Sequence, residues 1–143
     1  MFVLDTNVLV AALFSQRGAS FWLLERVLDR RLPIAISVAL ALEYEDVLLR
    51  PAMLAQGWAS GDQVSTVLDA VIAQASLIQP IWVRRRPALS DPGDDLVLEC
   101  ALEAKAYAIV TMNVRDFIGV SERYGLRILK PGDLVAELRK EAQ

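Results

Sequence analysis

The side chains best suited to chemistry in this chain are acids and their short polar neighbours. Asp5-Thr6-Asn7 stands near the start, Glu43 and Glu45 follow, Asp91, Asp94 and Asp95 lie within one helical turn, and Thr111, Asn113 and Asp116 come later. The chain has no histidine. That removes the commonest general base, the serine-histidine triads and most zinc sites. The single cysteine, Cys100, permits neither an internal disulfide nor a cysteine zinc site, and its apolar helical surroundings make it a buried structural thiol. Any reaction must therefore rest on carboxylates, lysine, hydroxyls or a metal held by oxygen, and oxygen-rich sites suit Mg²⁺ or Mn²⁺.

These residues need a frame. Met1 to Leu4 is an apolar run that reads as a strand buried on both faces, as in a parallel sheet, and Asp5 falls at its carboxyl end. Further strands are expected at Ile34 to Ile36, around Leu77-Ile78 and Ile81 to Val83, at Ala108 to Thr111 and at Arg127 to Leu129. Helices are expected at Val8 to Phe14, from about Ser20 to Arg31, from Val38 to about Arg50, from Ser60 or Asp62 through Ile72, from Pro92 to about Lys105 and from Gly132 to Glu141. Ser37 and Asp91 are expected caps, Pro51 is expected to end its helix, and residues 53 to 60 read as irregular. Strands alternating with helices predict one α/β domain over residues 1 to 143 with a parallel sheet.

Right-handed crossovers put every strand-to-helix loop on one edge of such a sheet. In the order 3-2-1-4-5 the strands before Asp5 and Thr111 are neighbours at the switch point, and the helices entered at Ser37 and Asp91 start at the same crevice. Asp5, Asp91, Asp94, Asp95 and Asn113 can converge there, with a helical glutamate nearby. Clustered carboxylates repel one another, and a metal ion is the usual compensation.

Simpler readings stand beside this one. Asp5 or Thr6 could only cap the first helix. Asp91, Asp94 and Asp95 lie where acids favour a helix dipole, by roughly 0.3–1 kcal/mol each, which explains two more comfortably than three. Glu43 shares a stripe with Ile36, Ala39, Leu40 and Val47, but Glu45 also has apolar neighbours, so periodicity leaves both open. Asp116 could simply cap or solvate its turn.

Composition sets the outer bounds. The 143 residues are 55% hydrophobic, with a mean hydropathy of +0.36, which excludes disorder and predicts extra buried surface in a covered sheet or a subunit interface. No apolar run reaches the length of a bilayer span, and the chain reads as cytoplasmic. The net charge of −3 argues on its face against a polyanionic partner, although local basic patches can still steer one.

The ordered set Val3-Leu4-Asp5-Thr6-Asn7, Glu43, Asp95 and Val110 to Phe117 resembles the PIN-domain family, in particular the small VapC-like toxins of bacterial toxin–antitoxin pairs. The resemblance spans essentially the whole chain. It implies a three-layer α/β/α sandwich around a parallel sheet of about five strands. It also implies an endoribonuclease that uses one or two Mg²⁺ or Mn²⁺ ions, a homodimer and a cognate antitoxin. Asp5, Glu43 and Asp95 match the family's first three acids, Asp95 being taken over Asp94 because sixteen residues separate it from Thr111. Asp91 would assist. The fourth acidic position falls on Asn113, so that ligand is open between Asn113 and Asp116. Thr6, Asn7 and Thr111 would position carboxylates and water, while Arg17, Arg84, Arg85, Arg86 and Arg115 would carry the RNA backbone. Two rivals remain: a PIN-like scaffold that has lost catalysis, kept alive by Asn113, and a phosphoacceptor receiver-like domain. The receiver reading is weakened because Ile78 to Arg86 holds no acid.

Overall fold

Five short parallel strands make the frame of the computed structural model, which describes residues 1–79 and 91–142. They are β1 (Phe2–Leu4), β2 (Ala35–Ser37), β3 (Ser76–Ile78), β4 (Ala108–Val110) and β5 (Arg127–Leu129). β1 pairs with β4 in the register Val3–Ile109, β4 with β5 through Ile109–Ile128, and β2 with β3 through Ile36–Leu77. A bridge between Phe2 and Ile34, with the Phe2 amide donating to the Pro33 carbonyl at 2.9 Å, joins the two ribbons. The order across the sheet is therefore 3-2-1-4-5, with Asp5 and Thr111 at the carboxyl ends of adjacent strands.

Burial follows from that order. β2 and β4 are buried along their whole length, as apolar runs covered on both faces must be, whereas β3 at the edge leaves Leu77 exposed. α6 (Pro92–Ala104) packs over β1, β2 and β4 and against α3 (Val38–Leu48). α1 (Thr6–Phe14) and α2 (Ala19–Leu28) pack together, and α2 also meets α5 (Gly61–Gln74) and α8 (Pro131–Glu141). This is the α/β/α arrangement. No helix among the described residues is long and apolar enough to cross a membrane.

Helix ends follow local chemistry. Ser37 caps α3 by accepting from the Leu40 amide at 3.1 Å, and Ser60 and Gln63 form a reciprocal capping box at α5. Pro51 departs from expectation. α3 already stops at Leu48, and Pro51 opens a further helix, α4 (Pro51–Gln56), where its missing N–H costs nothing. A second unexpected helix, α7 (Val120–Tyr124), lies between Gly119 and Gly125, whose φ angles of 83° and 66° favour glycine. The expected strand fragment Ile81 to Val83 and the basic run Arg84, Arg85, Arg86 lie outside the described residues.

One buried hydrogen bond ties the sheet to the helix that carries Glu43. Tyr44 is fully buried, and its hydroxyl donates to the Leu4 carbonyl, one residue before Asp5. Burial, followed by the neighbouring Cys100 and Asp5, pushes its phenol well above the ordinary range, so it stays protonated as a donor. Tyr44→Phe should cost about 1–3 kcal/mol, the penalty for stranding a buried acceptor, read from a lowered urea midpoint. An unchanged midpoint would show that the bond contributes nothing net.

Candidate active site

Asp5 ends β1 and takes the N-cap position of α1, but its side chain makes no hydrogen bond of capping geometry. The nearby Thr6 and Asn7 amides still favour its charged form. Its firm partner lies on the neighbouring strand, where the Thr111 hydroxyl donates to Asp5 Oδ2 at 2.8 Å. Both side chains are buried, Thr111 completely and Asp5 with 6% exposure. Burial raises the Asp5 carboxyl above its ordinary value; the Thr111 hydrogen bond opposes that rise, and the charge of Asp116 adds to it.

Thr111 is the hub of this corner. Its oxygen also accepts from the Asn113 amide at 3.1 Å and, weakly, from Asn7 Nδ2 at 3.4 Å. Asn7 Oδ1 accepts in turn from the Met112 amide at 3.0 Å. Thr111→Val keeps the shape and strands several of these groups. Roughly 1–3 kcal/mol of stability should be lost, measured by denaturant unfolding. A variant as stable as the parent would contradict the hub assignment.

The other acids close on Asp5 from two sides. Asp91 is the N-cap of α6 and accepts from the Gly93 amide at 2.8 Å, so its capping role is realised. Asp94 and Asp95 follow in the first turn, both half-buried, with Asp95 Oδ2 out of solvent contact. The Asp94 carboxyl is pushed up to about 7, first by burial and then by the charges of Asp5, Asp116, Asp91 and Asp95. Asp94 is thus an acid that spacing alone passed over.

Glu43 projects from α3 toward the same turn and is half-buried, whereas Glu45 is exposed. A Cβ added at Gly93 would lie 3.4 Å from Glu43 Oε1 and 3.2 Å from Asp91 Oδ1. Two carboxylates thus approach the backbone at Gly93 closely, and a side chain there would make one of them give way by a few tenths of an ångström. On the far side, Asn113 Nδ2 donates to Asp116 Oδ1 at 3.0 Å, holding that acid over a 3₁₀ turn, Val114–Phe117. Asp116 is the residue whose charge reaches Asp5 and Asp94.

The remaining predicted residues lie around this group. Thr6 is buried at the start of α1, and Arg17 and Arg115 are exposed. The ion pairs among the described residues, Arg26–Glu25, Arg50–Asp46 and Arg127–Glu137, all lie elsewhere. Cys100 is buried, and burial pushes its thiol up to about 11, which suits a packing group and not a nucleophile.

A hard divalent cation fits the donor set. The donors are oxygens, and the repulsion that raises Asp94 is of the kind a cation relieves. No three acids among the described residues come close enough to form a ready-made ligand cage.

Comparison with known proteins decides the family. A family model described as a PIN domain matches residues 1–115. The chain belongs to the PIN-domain family. The match spans Asp5, Glu43, Asp91, Asp94, Asp95, Thr111 and Asn113. PIN domains are generally nucleases and typically use divalent metal ions. No curated protein matches the chain.

Proposed function

We propose that this PIN domain is a metal-dependent endoribonuclease and the toxin of a toxin–antitoxin pair, acting as a homodimer controlled by a cognate antitoxin. The observation that carries the nuclease reading is the acidic corner itself: Asp5 is held by Thr111 at the sheet switch point, the charge of Asp116 adds to the rise of its carboxyl, and Asp94 is raised in part by the charges of both. The likeness to VapC-like toxins supports the toxin role.

Asp5, Glu43, Asp95 and Asp116 would hold one or two Mg²⁺ or Mn²⁺ ions, with Asp94 and Asp91 completing the acidic wall. Such an ion, when bound, neutralises carboxylate charge, lowers the pKa of a water and stabilises charge on phosphate oxygens. The chain's own residues supply order. Thr111 fixes one Asp5 oxygen through its hydroxyl. Asn113, at the family's fourth acidic position, donates to one oxygen of Asp116, so Asp116 would substitute for the acid missing there. In the hydrolysis, a water oxygen bonds to phosphorus as the bond to the leaving oxygen breaks, and that oxygen takes a proton. Arg17 and Arg115 would meet backbone phosphates.

Asn113 also sustains the reading of a scaffold without catalysis. One assay separates the two. A labelled single-stranded RNA should be cut by purified protein with Mg²⁺ or Mn²⁺, stop being cut in excess chelator, and be cut again when the metal is restored. RNA left intact under all three conditions would favour the scaffold.

A further inference from the structure

Two hollows lie beside the acidic corner on its β5 side, and although Asn113 and Arg115 line the larger one, the nuclease reading gives neither hollow an occupant. One, of about 340 Å³, lies between the first turns of α2 and α8 and is walled largely by Ala11, Ala19, Met112 and Pro131. The other, of about 490 Å³, runs past Arg115, Phe117 and Ile118. Met112 and Lys130 line both, so they form the divide between them. Each volume is in the range of small-ligand sites.

The divide is coupled to the chemistry. Met112 follows Thr111 directly, and Asn7, next to Asp5, holds its amide at 3.0 Å. Buried Ser20 donates to the Met112 sulfur at 3.6 Å, which sets the thioether across the α2 side. Met112 is still 48% exposed and Ile118 83% exposed, so both present apolar surface beside polar machinery. Lys130 ends β5 on the edge that carries Asp5 and Thr111. Among the described residues lining the hollows, Arg115 and Lys130 are cations and Asp133 is the one acid.

Hollows with partly apolar walls, divided by a thioether and bordered by cations, match a polyanion with flat, partly apolar appendages. We infer that the two hollows are base-binding subsites for consecutive nucleotides of the RNA next to the scissile phosphate. Met112 separates the two bases and Lys130 contacts the phosphate between them. Met112 and Lys130 are then specificity and positioning residues. The inference rests on the nuclease reading for its substrate, but its test does not depend on cleavage.

The test measures binding of fluorescein-labelled hexaribonucleotides of each base to Asp5→Asn protein in Mg²⁺ by anisotropy, then repeats it with three further changes. Lys130→Ala should weaken all hexamers alike and reduce the slope of log affinity against log salt by about 0.7, the share of one phosphate contact on a single strand. Met112→Ala should change the ranking among bases more than the mean affinity. Gly132→Trp should weaken binding several-fold, because residue 132 lines the smaller hollow and a Cβ there meets nothing within 4 Å. All three changes are at the surface.

Hexamers bound with these dependences support the inference even if the wild type cuts no RNA, in which case the nuclease reading alone fails. Binding indifferent to all three changes overturns the inference while leaving a cleaving wild type as a nuclease. No RNA bound and none cut overturns both. If the changes abolish binding of an antitoxin peptide and leave the hexamers untouched, the hollows are a protein-docking surface and the inference is wrong.

Discussion

Asp5→Asn should abolish RNA cleavage and leave the metal-free protein at least as stable as its parent. The two halves of this result have separate causes. Asp5 is buried at the sheet edge, and burial, with the charge of Asp116 adding to it, raises its carboxyl, so its charge is a cost to the fold. Asparagine has nearly the same shape and keeps an oxygen to accept from Thr111, so the contact survives and the charge cost is removed. Activity moves the other way. A carboxylate that helps hold a catalytic ion supports several kcal/mol of transition-state stabilisation, so kcat/KM should fall on the order of a thousandfold or more. Thermal melts in chelator and initial cleavage rates in Mn²⁺ read the two effects from the same preparation. Cleavage at the parental rate would remove Asp5 from the site; a melting point lowered by many degrees would mean that unfolding, and not lost chemistry, explains an inactive variant.

The sheet and its switch point were legible because their causes are local. Val3, Leu4, Ala108, Ile109 and Val110 are apolar at consecutive positions in short runs, as suits a strand covered on both faces, and each run stops at a polar residue. Strand order then put Asp5 beside Thr111. Punctuation was harder to read. Pro51 can end one helix or begin the next, and the choice depends on where α3 loses its packing, not on the proline. α7 is only five residues long and is delimited by two left-handed glycines, a signal visible only once its neighbours are placed.

The site was partly legible for a related reason. Periodicity left Glu43 and Glu45 open because both have apolar neighbours. The packing of α3 against α6 brings Glu43 close to Gly93, while Glu45 is exposed. Asp94 and Asp95 are consecutive in a helix and point about 100° apart. Spacing to Thr111 favours Asp95, but with α6 packed over β1, β2 and β4 the Asp94 carboxyl also lies in the field of Asp5 and Asp116. The question between Asn113 and Asp116 turns out to be one about a pair, since the amide of one holds the carboxylate of the other. Side-chain hydrogen bonds of that kind leave no trace in spacing.

The Asp94 carboxyl gives the strongest pH signature. It is pushed up to about 7 in the folded chain, against 3.8 when unperturbed. Between those values the folded state keeps a proton that the unfolded state has lost. Stability in chelator is then fully present below about pH 4, falls as pH rises, and levels out above about pH 7. Asp5, also raised, adds to the same slope. The Arg127–Glu137 pair does not disturb this window, because Glu137 is held below its ordinary value and its contribution is complete at lower pH. The melting point of the parent should therefore drop between pH 5 and pH 8, and Asp94→Asn should drop clearly less. Mg²⁺ or Mn²⁺ should recover the parent's loss at pH 8, since a ligand that binds only the folded state stabilises it and these ions bind the ionised carboxylates. The variant has less to recover. Equal slopes for parent and variant would remove Asp94 from the acidic corner, and a parent that gains stability from pH 5 to pH 8 in chelator would mean that its acids do not repel one another across the switch point.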